Sequence, residues 1–265
     1  MSTSYDMSLK YGVDFNFTIE GKVVVVTGGL GGIATAANEA LLSKGAKIAI
    51  FYPDFEKDHV DEAMGKYPSD RVRAWCCDVT KEDQVDACID EVIQHFGTID
   101  VLVNAAGTIT LTPAEDISLI EWQRQVDVNF TAPFLCSKAV GRHMLTRGQG
   151  GKIINIASQA ATVAIDQHCA YTSAKAGLLG MTKSLAKEWG PRGINVNSIS
   201  PTVVLTPMGA AAWEGEKGER MKSMIPMGRF AYTDEIAASI LFLASNGSDM
   251  INGADLMIDG GYTIW

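Results

Sequence analysis

Residues 22–43 read KVVVVTGGLGGIATAANEALLS. Four consecutive valines form a run that is apolar on both faces, as a strand inside a helix-covered parallel sheet must be. Gly28, Gly29, Gly31 and Gly32 then end the strand and open a helix at Ile33. Glycines at that junction let backbone approach a ligand closely, and the helix N-terminus offers unpaired N–H groups and a positive dipole. A pyrophosphate suits such a turn. The competing reading is a tight turn that happens to use glycine; the strand–turn–helix context favours the phosphate.

Outward from this stretch the same alternation repeats. Short runs rich in β-branched residues appear at 22–28, 47–52, 72–77, 99–104, 152–157, 195–199 and 255–258. Between them lie stretches with apolar residues at three- and four-residue spacing, at 33–43, 83–95, 122–146, 170–189 and 234–244. Thr233, followed by Asp234 and Glu235, reads as a helix N-cap. The expectation is a single doubly wound α/β domain over residues 21–265, with a mainly parallel seven-stranded sheet and helices on both faces. Residues 1–20 read as a polar tail. Residues 202–230 break the rhythm with Pro207, Pro226 and a charged cluster at 214–220. They read as a lid over a site, against the alternative of an irregular surface excursion.

The composition narrows the function classes. The 265 residues carry a net charge of −9, which disfavours a nucleic-acid binder. No apolar run reaches the roughly 18 residues of a membrane span, and Asp6, Lys10 and Asp14 interrupt any signal-peptide core near the start. The five cysteines, Cys76, Cys77, Cys88, Cys136 and Cys169, are odd in number and contain no C-x-x-C pair, so they read as reduced thiols of a cytoplasmic protein. The histidines, His59, His95, His143 and His168, show no metal-ligand spacing, and no metal is expected.

Tyr171 and Lys175 stand four residues apart at the head of a predicted helix, on one face. A phenol of pKa about 10 is a poor base at neutral pH, and a neighbouring cation favours its ionised form. Ser158 lies at the end of the KIINIAS strand, thirteen residues before Tyr171. A Y-x-x-x-K pair alone also occurs as an ordinary amphipathic face; Ser158 and the glycine turn raise it above that reading.

Together these segments resemble the short-chain dehydrogenase/reductase family. Its T-G-x-x-x-G-x-G signature is matched at Thr27, Gly28 and Gly32, with Ala34 in place of the last glycine. Asn104-Ala105-Ala106-Gly107 is similar to the family's N-N-A-G, and Asp78-Val79 falls where relatives hold the adenine. The resemblance implies a Rossmann-type fold and an Asn129–Ser158–Tyr171–Lys175 tetrad. In it Tyr171 exchanges the proton, Lys175 lowers its pKa and bonds the nicotinamide ribose, Ser158 orients the reacting oxygen, and Asn129 holds a water. It implies cofactor contacts from Gly28, Leu30, Gly32, Ile33, Tyr52, Asp78, Val79, Asn104, Ala105, Gly107, Tyr171 and Lys175. Pro201, Val204 and Thr206 would hold the carboxamide, with Thr202 in place of a family glycine. The usual ribose carboxylate position is Tyr52, and neither Gly31 nor Pro53 is basic. NAD is therefore expected over NADP.

The SPTVV run from Ser200, the WEGEKGER segment, the Asp166-Gln167-His168 loop before Tyr171 and the DGGYTIW end look like the polyol dehydrogenases of the family. The implied substrate is a small polyol or its ketose, contacted by Ser158, Gln159, His168, Tyr171 and Trp213, with Asp166 a further candidate. His168 reads equally as a packed loop residue, and Cys169 as an apolar filler. Relatives are commonly homotetramers, and Trp265 would then close a neighbouring subunit's site or pack on its own domain. Two rival functions are an NADP-dependent 3-oxoacyl-thioester or general carbonyl reductase, and a catalytically silent dinucleotide-binding sensor or scaffold.

Overall fold

The computed structural model describes residues 11–206, 209–210 and 213–264. Trp265 and Pro207 lie outside them. Seven strands, β1 (Val23–Thr27), β2 (Lys47–Tyr52), β3 (Val72–Cys76), β4 (Val101–Asn104), β5 (Gly151–Ile156), β6 (Ile194–Pro201) and β7 (Asp255–Ile258), form one sheet in the order β3-β2-β1-β4-β5-β6-β7. Every pairing is parallel. The expected seven-stranded sheet is thus fully parallel. β1 is buried at every residue, as a strand covered on both faces requires.

The helices include α1 (Gly32–Ser43), α2 (Val60–Met64), α3 (Glu82–Phe96), α4 (Leu119–Val126), α5 (Ala132–Arg147), α6 (Cys169–Trp189), α7 (Gly215–Ser223) and α8 (Thr233–Ala244). They divide between the faces. α3, α5 and the end of α6 bury Val92, Val140, Met144 and Trp189 on one side. On the other, α1 and α8 bury Leu41, Ile236 and Ile240.

Two local expectations are corrected. The predicted helix 122–146 is interrupted by a π-helical turn at Asp127–Thr131, which joins α4 to α5 and inserts a residue where Asn129 sits. Thr233 is the first residue of α8 and not its cap. The N-cap is Tyr232, whose N–H donates to the Glu235 carboxylate at 2.8 Å. Within the expected tail, a few side chains of residues 11–20 anchor an otherwise largely exposed stretch to the body. Phe17 meets Phe242 edge-on, the Tyr11 hydroxyl donates to Asp249, and Ile19 is buried.

The strand order places the switch of direction between β1 and β4, where the chain first builds outward to β3 and then crosses back. In open α/β sheets the ligand crevice lies at the carboxyl ends of the strands at that switch. The glycine turn after β1 and the loop after β4 are the two segments that meet there.

Candidate active site

Gly28 has φ +59°, and a Cβ built on it would lie 2.8 Å from the Ala106 Cα. Only glycine lets the two loops come this close. Thr27 completes the junction: its hydroxyl accepts from the N–H groups of Ala105 and Ala106, each at 3.1 Å. The threonine of the T-G pair therefore orders the loop after β4, a role its sequence position alone did not disclose. α1 begins at Gly32 with Gly31 as an N-cap that brings no capping side chain. That open N-terminus and the glycine cradle fit a dinucleotide's pyrophosphate.

Tyr52, at the end of β2, is buried, and burial with Asp61 and Asp54 nearby holds its phenol above the ordinary range. Asp78 follows β3, with Oδ1 accepting from the Thr80 N–H and hydroxyl. Val79 is buried beside it. The Asn104 side chain turns inward, donating to Asn155 at 2.8 Å and Ser137 at 3.1 Å. Asn155 in turn donates to Thr182. Asn104 thus presents its backbone, not its amide, to the crevice edge.

Beyond β4, a Cβ on Gly107 would meet Asn129 Oδ1 at 3.2 Å and Lys175 Nζ at 3.9 Å. The bare Gly107 backbone is what brings these two side chains to one spot. Asn129 is fully buried; its Nδ2 donates to the Thr108 and Gln125 carbonyls at 2.7 and 2.9 Å, and its Oδ1 accepts from Thr108 N–H at 3.2 Å. Both amide protons are committed, leaving Oδ1 one lone pair for a water. Arg124, passed over in the sequence, clamps the same loop by donating to the Thr108 and Thr110 hydroxyls and to Glu121. Its one sequence signal was the i,i+3 pair with Glu121.

Lys175 is buried on α6, and Nζ donates to the Ile156 carbonyl at 2.7 Å. Burial pulls its ammonium down to about 8. The same Nζ lies 5.6 Å from the centre of the Tyr171 ring. Burial pushes the Tyr171 phenol up, and a hydrogen bond with Ser158 lowers it in part. The Ser158 hydroxyl accepts from Ala160 N–H at 3.1 Å, so its own proton is available to the phenol oxygen. Serine, tyrosine and lysine, from β5's end and α6, thus share one place.

Gln159 and His168 are buried. Trp213 packs within the 202–230 segment, its ring centre 6.1 Å from that of Phe230 and under Lys217 Nζ at 4.4 Å. Pro201 ends β6, Val204 bridges to Ala231, and the Thr206 hydroxyl accepts from Gly209 N–H. His143 accepts from Ile99 N–H, and His95 meets the Trp75 and Phe96 rings edge-on. Among the described residues no group of three or more His, Cys, Asp or Glu could hold a metal.

The family model described as "Enoyl-(Acyl carrier protein) reductase" matches residues 28–263. A short-chain dehydrogenase/reductase from Serratia marcescens is 34% identical with a TM-score of 0.84, covering 92% of this chain and 99% of that one. The chain belongs to the short-chain dehydrogenase/reductase family. It is 51% identical over 254 residues to the D-threitol dehydrogenase of Mycolicibacterium smegmatis, covering 95% of this chain and 96% of the relative. It is 44% identical over 253 residues to the NAD-dependent glycerol dehydrogenase of Listeria innocua, covering 96% and 98%. A gluconate 5-dehydrogenase from Burkholderia cenocepacia, solved in complex with NADP and tartrate, is 31% identical with a TM-score of 0.85, covering 94% and 98%. This short-chain dehydrogenase/reductase is therefore an oxidoreductase, and in its family the crevice after β1 and β4 binds a nicotinamide dinucleotide.

Proposed function

We propose that this enzyme uses NAD to interconvert a small polyol, such as D-threitol, and its ketose. The observation that carries the reading is the 51% identity to a D-threitol dehydrogenase over nearly the whole chain. The meeting of Ser158, Tyr171 and Lys175 beside the dinucleotide crevice agrees with it.

In this reading the main chain of Gly28, Leu30, Gly32 and Ile33 holds the pyrophosphate, Asp78 and Val79 the adenine, and Tyr52 the adenosine ribose. Asn104, Ala105 and Gly107 line the ribose side, and Pro201, Val204 and Thr206 the carboxamide. When bound, the nicotinamide supplies the carbon that takes or returns the hydride. Tyr171 removes the proton of the alcohol being oxidised, through its phenol oxygen. Ser158 donates to the reacting oxygen, where charge builds. Lys175, held by the Ile156 carbonyl, bonds the nicotinamide ribose and stabilises the ionised phenol. Asn129 pins the 107–108 loop and holds a water with its remaining lone pair.

NAD is proposed over NADP because no lysine or arginine stands at Gly31 or Pro53. A glycerol dehydrogenase relative named as NAD-dependent agrees. The enzyme is further proposed to be a cytoplasmic homotetramer with residues 202–230 as a substrate lid. The test is NADH formation at alkaline pH with a panel of four- to six-carbon polyols, with NAD and NADP side by side. The expected result is oxidation of a small polyol with a lower KM for NAD. Silence across polyols with NADPH-dependent reduction of a 3-oxoacyl thioester would move the enzyme to the rival carbonyl-reductase class. Silence with every substrate, despite tight dinucleotide binding, would make it a sensor or scaffold.

A further inference from the structure

The His168 ring has a fixed hydrogen-bond polarity. Its Nδ1 lies 2.6 Å from the Asp166 carbonyl oxygen. A carbonyl can only accept, so Nδ1 carries the proton. In a neutral imidazole Nε2 is then a bare lone pair facing away from that carbonyl. Burial, the largest influence, holds His168 below its ordinary pKa and keeps the ring neutral near pH 7. Lys217 on α7 acts in the same direction, while Asp166 and its carbonyl on the loop act against it. On α6, the Tyr171 ring stands edge-on at 6.1 Å between centres. The imidazole therefore lies beside the proton-exchanging phenol, within electrostatic reach of Lys217.

We propose that His168 is a specificity-determining residue: its Nε2 accepts a hydrogen bond from a hydroxyl on the carbon next to the one oxidised. The site then selects vicinal diols over lone alcohols, and over acyl thioesters, which bring no donor to that place. Gln159 argues the same way. Its side chain follows Ser158, and its buried Oε1 has no donor among the described residues. A buried acceptor without a donor, one residue on from Ser158, suits a substrate rich in O–H groups, and leaving it unpaired costs about 1–3 kcal/mol.

The inference rests on the polyol reading above, and the experiment separates the two. Oxidation of butane-2,3-diol and butan-2-ol is compared by NADH absorbance in the wild type, His168→Phe and His168→Gln, with the Kd for NAD as a check on the fold. The wild type is expected to prefer the diol. His168→Phe should cut the diol-to-alcohol ratio of kcat/KM at least about tenfold, and His168→Gln, which keeps an amide acceptor, should restore part of it. A ratio left unchanged by His168→Phe overturns the inference while the polyol reading stands. No NADH from any diol or polyol in the wild type removes both.

Discussion

Lys175 occupies a place that a folding chain would ordinarily give to an apolar side chain. Its ammonium is buried, with the Ile156 carbonyl as its hydrogen-bond partner, and its pKa falls to about 8. An unfolded lysine titrates near about 10.4, so the folded state binds fewer protons between these values and stability rises with pH across that window. Below it, holding the charge inside costs on the order of 3 kcal/mol. Lys175→Met should abolish turnover and yet raise the thermal midpoint of the apoenzyme at neutral pH; a lowered midpoint would contradict this account. Tyr171 is the complementary case. Tyr171→Phe removes one oxygen, so turnover should fall by about 10³-fold while the Kd for NAD, measured by fluorescence quenching, stays near the wild-type value. Oxidation should also accelerate with rising pH, because the ionised phenol is the base, and ketone reduction should accelerate in the opposite direction.

At the scale of elements, the loops after the strands decide what the regular structure leaves open. The π turn at Asp127–Thr131 sets Asn129 against the loop after β4, and Thr27 binds that loop from the other side. The C-terminal turn does the same for the 202–230 segment. Asp259 is buried, and its carboxylate accepts from Gly261 N–H, Thr263 N–H and the Thr263 hydroxyl. This turn presents Tyr262 to the cluster of Met221, Ile225 and Phe230. Gly261, at φ +88°, lies where a Cβ would sit 3.0 Å from the Pro226 ring, which explains a glycine at this contact. Asp259→Ala should cost about 2–3 kcal/mol, seen as a thermal midpoint lower by several degrees. If residues 202–230 act as the lid, the polyol KM should rise more than the KM for NAD.

Across the whole molecule, the candidate site gathers at the carboxyl ends of the strands, while a separate ionic cluster ties their amino ends together. At the amino ends of the strands, Asp100 accepts from Val23 N–H and pairs with Arg147 at 3.0 Å and Lys22 at 3.4 Å. Asp100→Ala leaves the part-buried Arg147 without this carboxylate and should destabilise by about 3 kcal/mol, with kcat and KM unchanged. A change in either constant would mean that the two ends are coupled. The alternation of apolar runs determined the doubly wound fold, because burying strands on both faces leaves few other solutions for such a pattern. The glycine turn and the spacing of Ser158, Tyr171 and Lys175 were legible for the same reason: strand ends and helix faces turn sequence distance into position. Arg124, Thr27 as a loop fastener, the inward turn of Asn104 and the polarity of His168 were not, since each depends on partners that local periodicity does not encode. The sequence by itself determined the architecture and the spacing that brings Ser158, Tyr171 and Lys175 to one place. Only the tertiary structure decided which hydrogen bonds each polar side chain has left to give, because burial sets the cost of every one that goes unmet.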